Sequence, residues 1–175
     1  ITTPAFTGQA AYEHALVGLI DAVTARGGTA LLFAHSVTAV AAWDDRLVNG
    51  RLRAAARHPQ QVLPVHELCP PEVLQSAYAT LDCLVGTRMH SAIMALNAGT
   101  PVVAVGSLHK TRGVLGELGL ARRCFDIACV TAGDLTQALD ESLAAPEERR
   151  VRDYIAFARR SHRAIGAILR GLVRE

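Results

Sequence analysis

The sequence of 175 residues is poor in aromatic residues, which make up 5% of the chain, and it has no long uninterrupted apolar run. Without a run of about 18 or more apolar residues, the sequence predicts no transmembrane segment. Without a charged stretch ahead of an apolar one, it predicts no signal peptide. The net charge is only +2, which gives no reason to expect a nucleic-acid partner.

Recognisable metal, redox and nucleotide motifs are also missing. The four cysteines, Cys69, Cys83, Cys124 and Cys129, follow neither a zinc-ribbon nor a CxxC spacing, so we expect reduced thiols in a cytosolic protein. Cys83 lies in an apolar run, which predicts a buried thiol. There is no HExxH, no P-loop and no GxGxxG, and no metal or cofactor is expected.

What the sequence does have is an alternation of helical patterns with short apolar runs. Half of its residues are hydrophobic and 19% are charged, which is typical of a folded globular domain. The alternation predicts an α/β fold, a Rossmann-like doubly wound parallel sheet with helices on both faces. Helices are predicted at residues 10–26, 43–57, 70–79, 90–97, 112–118, 134–143 and 147–170, and strands at 29–34, 61–65, 81–85, 101–105 and 125–130.

The length suits one domain over residues 1–175, with a C-terminal helix over residues 147–172. The chain begins at Ile1 without an initiator methionine, so we expect a piece of a longer protein, its C-terminal domain. If residues 1–3 are the stump of a first strand, the strand order becomes 3-2-1-4-5-6. The order then reverses beside the strand at residues 81–85. Ligands bind beyond the carboxyl ends of strands at such a reversal.

The turn after that strand holds the most promising side chains. Gly86 permits a sharp turn and a close approach to a ligand, and the following helix directs N–H groups at the same place. Arg88 suits a carboxylate or phosphate, and His90 can exchange a proton near neutral pH. Ser91 is expected to cap the helix or contact the ligand. The alternative is structural, with Arg88 paired to an acid such as Asp82.

A second candidate loop, residues 106–112, follows the neighbouring strand. Its Lys110 is expected to face the same cleft as Arg88 and to act as a point charge for phosphate. A solvated loop lysine is the alternative. His35, at the carboxyl end of another strand, is a lesser candidate for reaching the cleft.

Residues 84–93, together with Gly99, Pro101, Lys110 and residues 117–120, resemble the polysaccharide pyruvyl transferase family. Weaker similarity covers nearly all of the chain. The resemblance implies a two-domain GT-B architecture, of which this chain is the C-terminal, donor-binding half. Residues 107–109 depart from the aromatic residue and aspartate that usually precede the lysine.

The resemblance also implies a reaction, the transfer of pyruvate from phosphoenolpyruvate to a sugar as a ketal. His90 would be the catalytic acid–base group, and no metal or cofactor would be required. The partners would be phosphoenolpyruvate, a glycan or lipid-linked sugar acceptor, and the N-terminal domain of the same chain. The location would be cytoplasmic, including the inner face of the membrane, and the fragment alone would be inactive. The implied substrate-binding residues are Gly86, Thr87, Arg88, Ser91 and Lys110.

Two other functions remain open from the residues. One is a GT-B glycosyltransferase domain with a nucleotide-sugar donor, for which Asn97, Glu117 and Asp126 are the nearby polar candidates. The other is a non-catalytic Rossmann-like binding module, against which the joint presence of Arg88, His90 and Lys110 argues.

Overall fold

Helices alternate with short parallel strands along the chain. The computed structural model describes residues 8–41, 44–106, 108–144 and 149–172. The strands are β1 (Ala30–Phe33), β2 (Val62–Val65), β3 (Leu84–Gly86), β4 (Val102–Gly106) and β5 (Cys124–Asp126). The helices are α1 (Gln9–Ala25), α2 (Asp45–Ala55), α3 (Pro71–Tyr78), α4 (Met89–Ala98), α5 (Leu108–Glu117), α6 (Ala132–Ala144) and α7 (Arg149–Leu172).

Several helices begin and end at residues that favour helix termini in general. The Asp44 carboxylate accepts the backbone N–H of Arg46 at 3.0 Å and so caps α2. Pro71 lies in the first turn of α3, where its missing N–H costs little. Gly99 ends α4 with a φ of 88°, in the left-handed region that a side chain disfavours. The predictions for α2, α3 and α4 are thereby confirmed, except that residue 43 lies outside the described residues.

Three predicted elements are wrong in extent. Strand β3 begins at Leu84 rather than at residue 81. Helix α5 begins at Leu108 rather than at residue 112, so Lys110 stands in a helical turn and not in a loop. Strand β5 ends at Asp126 rather than at residue 130. There the Asp126 carboxylate accepts the N–H of Ala128 at 2.9 Å and turns the chain away from the sheet.

The described strands form two parallel sheets rather than one continuous sheet. Strand β1 pairs with β2, and β4 lies between β3 and β5. These are the neighbours that the sequence predicts on the two sides of its first strand. The stump assigned to that strand, residues 1–3, lies outside the described residues.

The three-stranded sheet is covered by helices on both faces, as predicted. Every residue of its central strand β4 is buried. Val102 and Ala104 belong to a core cluster that contains side chains of α4 and α7. Val103 and Val105 pack with side chains of α1 and α6. Such continuous burial is typical of a parallel strand between two helical layers.

The two-stranded sheet is less completely covered. Ala30 and Leu32 pack against a cluster of α1 and α2 side chains. On the other face, Leu31 and its register partner Leu63 are 38% and 45% exposed. Because α1 contributes to the clusters on both sheets, it joins the two sheets on one face.

The long C-terminal helix packs through only part of its surface. Val151 and Ile155 are buried in the same core cluster as α4, whereas Tyr154, Phe157 and most of the other described side chains of α7 are exposed. The predicted C-terminal helix is confirmed over residues 149–172, and its exposed surface includes large apolar residues. None of the described helices has the length and apolar character needed to cross a membrane.

The four cysteines, all within the described residues, are free thiols, as the sequence predicts. Cys83 is half-buried, and burial raises the pKa of its thiol to about 11. The fully buried cysteine is Cys124 instead.

Candidate functional site

A groove of about 830 Å³ lies between β1 and β3. Much of its wall is apolar and comes from α1, α6 and the two strands, through residues such as Leu16, Leu31, Leu84 and Leu139. Polar residues line it at both ends, and parallel α/β sheets bind ligands at the carboxyl ends of their strands. The polar residues at that end are His35, Asp45, Asn49, Tyr78, Thr87 and Arg88.

Arg88 and Asp45 connect the two sides of the groove. Arg88 directly precedes α4, and its Nη2 lies 3.4 Å from Oδ1 of Asp45, at the start of α2. The Asp45 side chain is only 2% exposed. Its Oδ2 accepts the backbone N–H groups of His35 and Ser36 at 2.9 and 2.8 Å. Asp45 therefore holds the loop after β1 in place through two hydrogen bonds and orients Arg88, which follows β3.

The environment keeps Asp45 ionised. Burial acts to raise the pKa of this carboxyl, whereas the backbone N–H of Ser36 and the Arg88 guanidinium act to lower it. The pKa of Asp45 consequently lies below its ordinary value. An ionised carboxylate with several donors around it is a stable anchor for a guanidinium.

Arg88 retains hydrogen-bonding capacity beyond this ion pair. Its Nε is buried and has no hydrogen-bond partner, and among the described residues it is the one buried side-chain nitrogen or oxygen atom in that state. A buried donor left without a partner costs about 1–3 kcal/mol. The side chain is 35% exposed and lines the groove.

His35 and Tyr78 form a second polar pair at the same end of the groove. The Tyr78 hydroxyl and His35 Nε2 are in hydrogen-bonding contact, and Phe33 packs edge-on against the Tyr78 ring at 5.2 Å. Burial lowers the pKa of His35 and raises that of Tyr78. The imidazole and the phenol are therefore both neutral near pH 7. The prediction that His35 reaches the cleft is confirmed.

The small residues of the predicted turn have roles in packing. A Cβ on Gly86 would lie 2.9 Å from Ser91 Oγ and 3.1 Å from Leu84 Cδ2, and the φ of Gly86 is not positive. Close packing, rather than the sharp turn that the sequence suggests, therefore requires this glycine. The buried Ser91 hydroxyl donates to the Arg88 carbonyl at 2.7 Å, so it does not cap a helix N–H. Thr87 hydrogen-bonds with Tyr12 of α1.

The two remaining predicted site residues are placed differently from Arg88. His90 lies in the first turn of α4 with an exposed side chain, and it is not one of the residues that line the groove. Lys110 lies in the first helical turns after β4, next in the sheet to β3. The side chain of Lys110 is outside the described part of the structure.

Three groove residues were not predicted as site residues from the sequence. Asp45 was not predicted as a site residue, and its neighbour Asp44 is the residue that caps α2. Tyr78 ends α3 as an apparent core aromatic, and Asn49 donates to the Leu32 carbonyl at 3.0 Å. The sequence did contain one signal. Because Asp44 already caps α2, the adjacent Asp45 is not needed as a cap and is available for another role.

The described residues contain no group of three histidine, cysteine, aspartate or glutamate side chains placed to hold a metal ion. The polar side chains at this end of the groove include Arg88, Asp45, His35 and Tyr78. This set offers a cation for an anionic ligand, two neutral hydrogen-bonding groups and one buried carboxylate.

Parallel α/β domains commonly bind small molecules beyond the carboxyl ends of their strands, which is where Arg88 and Asp45 lie. Comparison with known protein families identifies the family of this domain. The family model of polysaccharide pyruvyl transferase matches residues 2–109. The chain belongs to the polysaccharide pyruvyl transferase family, and the match includes Arg88 and His90 but stops one residue before Lys110.

A curated relative agrees with this family. The amylovoran biosynthesis protein AmsJ of Erwinia amylovora is 29% identical over 160 residues, which are 90% of this chain. The match covers 38% of AmsJ, so the chain spans well under half of that relative's length. No solved structure matches the chain.

Proposed function

We propose that this chain is the donor-binding domain of a polysaccharide pyruvyltransferase, the C-terminal half of a GT-B-like enzyme. The whole protein would transfer pyruvate from phosphoenolpyruvate to a sugar as a ketal. Membership of the family supports the reaction class. The observation that carries the donor assignment is the buried, unpartnered Nε of Arg88 beside the groove.

Phosphoenolpyruvate carries a carboxylate and a phosphate, so two cationic groups are needed to hold it. Arg88 binds one of the two anionic groups, the carboxylate or the phosphate, with the N–H groups that Asp45 leaves available. The N-terminus of α4 adds unpaired backbone N–H groups beside it. We assign the other anionic group to Lys110. This residue lies near the start of α5, the helix that follows β4, and β4 is the neighbour of β3.

The turn residues support this arrangement indirectly. Ser91 holds the Arg88 carbonyl, Gly86 leaves room for Ser91, and Thr87 ties the turn to α1 through Tyr12. A rigid turn keeps the guanidinium in place and lowers the entropy lost when the donor binds.

The chemistry requires one proton to be delivered and two to be removed. A first sugar hydroxyl adds to C2 of the enol, its proton is lost, and C3 gains a proton and becomes the methyl group. A second hydroxyl then bonds to C2, loses its proton, and phosphate leaves with the electrons of the C–O bond. His90, exposed at the start of α4, is assigned the proton transfers at the face where an acceptor would enter.

Calorimetry on the whole protein tests this proposal. We expect phosphoenolpyruvate to bind, Arg88→Ala to abolish measurable binding, and His90→Asn to retain binding but lose turnover. Arg51→Ala is the matched control, since this arginine pairs with Glu13 away from the groove. Tight binding of a nucleotide sugar without any binding of phosphoenolpyruvate would contradict the proposal and favour a glycosyltransferase.

A further inference from the structure

Helix α7 exposes a surface with an apolar stripe on one side and a row of arginines on the other. We propose that this surface binds an anionic phospholipid bilayer, with the helix lying along the plane of the headgroups. The stripe consists of Phe157, Ile165 and Ile168, and the arginine row consists of Arg159, Arg163 and Arg170. None of these six residues lines the groove between β1 and β3, and the proposal does not rest on the proposed function.

The domain anchors α7 through the beginning of the helix. Among the described side chains of α7, the buried ones are those of Val151 and Ile155, which lie in the core cluster that contains α4. From Ala156 to Arg170 none of the described side chains is buried. At 1.5 Å per residue, this part of the helix is about 20 Å long. Its apolar side chains face water unless another surface receives them.

The large apolar side chains on this part of α7 share one face. Phe157, Ile165 and Ile168 are each more than half exposed. Because each residue turns the helix by about 100°, these three span only about 80° around its axis. The exposed Tyr154 falls in the same sector, one turn closer to the anchored end. Single exposed apolar residues are ordinary, whereas a stripe that continues over several turns indicates a binding surface.

The arginine row lies on the opposite face of the helix. Arg159, Arg163 and Arg170 are exposed, and the same helical count places them about 180° from the apolar stripe. In the part of the chain that the structure describes, no ion pair involves these arginines. Helices that lie in a bilayer interface combine such a basic face with large apolar residues, and they sink about 5–10 Å into the boundary between headgroups and acyl chains. Arginines on the far side then lie among the headgroups, because the helix is only about 10–12 Å wide.

The positive charge of the chain is concentrated in α7. The 24 residues of this helix include seven arginines and one aspartate, which give a formal charge of +6. The whole chain carries +2, so the residues outside α7 together carry −4. An anionic surface therefore attracts α7 and repels the rest of the domain. This separation of charge complements a bilayer of anionic lipids and orients the domain on it.

The same charges argue against two other partners. Beyond Asp153, α7 contains no acidic residue, so pairing with a second copy of the helix would bring arginines together without a compensating carboxylate. A nucleic acid would attract the arginines, but its phosphates offer nothing to the apolar stripe. An anionic bilayer suits both faces, because its acyl chains receive the apolar side chains and its phosphates accept hydrogen bonds from the guanidinium groups.

Sedimentation of the whole protein with lipid vesicles tests the proposal. We expect binding to vesicles of equal parts phosphatidylglycerol and phosphatidylcholine, and little binding to vesicles of phosphatidylcholine alone. Ile168→Ala should weaken the binding by at least about fivefold, because it removes apolar surface that the acyl chains would cover. Arg163→Gln should weaken it by about fivefold, because it removes one cation near the headgroups.

Leu68→Ala and Arg57→Gln are the matched controls, since they change an exposed leucine and an exposed arginine outside α7 and should leave vesicle binding unaltered. All four substituted side chains are exposed, so the midpoint of urea denaturation should stay the same and separate lost binding from lost folding.

Two results would overturn the proposal. One is a whole protein that binds the anionic vesicles no better than the neutral ones, as when another domain or a second copy covers the stripe. The other is vesicle binding that Ile168→Ala and Arg163→Gln leave unchanged.

Discussion

The two sheets on either side of the groove differ in how completely they are buried. In the three-stranded sheet every residue of β4 is buried between helices. In the two-stranded sheet, Leu31 and Leu63 remain more than a third exposed. The larger sheet therefore carries most of the packing. The smaller sheet carries less packing but supplies the groups that hold the site together.

The charges of the site follow the same division. The cation, Arg88, comes from the well-packed side, directly after β3. Its carboxylate partner Asp45 and the neutral His35 come from the other side, around the end of β1. The site is thus assembled across the groove, and neither sheet contains it alone.

The largest expected effect tests the difference in packing. Leu96 is 3% exposed on α4, against the larger sheet, and Leu96→Ala should lower the free energy of unfolding by about 2–5 kcal/mol. Leu63→Ala makes the same chemical change on the smaller sheet, where the side chain is already 45% exposed, and should cost under about 1 kcal/mol. Urea denaturation measures both, and equal costs would remove the distinction between the sheets.

The second prediction tests the ion pair that crosses the groove. Asp45→Asn removes the charge that faces Arg88 and one acceptor for the loop after β1. It should destabilise the protein by about 2 kcal/mol, less than for a fully buried pair because Arg88 is partly exposed. The control is Asp140→Asn, which breaks the exposed pair with Arg26 and should change the free energy of unfolding little. A loss at Asp45 no larger than at Asp140 would mean that the two sides of the groove are not coupled.

The smallest effect is a dependence on pH. Burial lowers the pKa of His35, and Asp45 and Arg88 are the charges that face it. The unfolded chain, with an ordinary histidine pKa of about 6.5, takes up this proton before the folded chain does. The free energy of unfolding should therefore fall as pH drops below about 6.5, by at most about 1.4 kcal/mol per pH unit, and level off below the lowered pKa.

Thermal unfolding between pH 7.5 and 5 measures this slope. His35→Gln should flatten it, whereas His14→Gln, on the exposed surface of α1, serves as the control. A slope that His35→Gln leaves unchanged would assign the dependence to another group.

The sequence predicted the elements with strong local signals. Apolar runs identified the strands, and Asp44, Pro71 and Gly99 marked helix ends. The start of α5 was missed because residues 107–110 show no helical spacing of apolar residues. The end of β5 was missed because it depends on a hydrogen bond that the backbone N–H of Ala128 donates to the Asp126 carboxylate.

The candidate site was only partly predictable. The topology of parallel sheets places Arg88 at a ligand-binding edge. Its partner was not predictable, because Asp45 lies 43 residues away and the nearer Asp82 fits local sequence equally well. A pair formed across two sheets depends on how the sheets pack, and a local pattern does not encode that packing.

The central claim is that Arg88 binds an anionic group of phosphoenolpyruvate through a donor that the protein leaves unpaired. The most direct measurement is the NMR resonance of the Arg88 Nε–H in the whole protein during titration with phosphoenolpyruvate. The account predicts a saturable shift of this resonance and none for Arg51. Saturable binding of phosphoenolpyruvate that leaves the Arg88 Nε–H unmoved would contradict it.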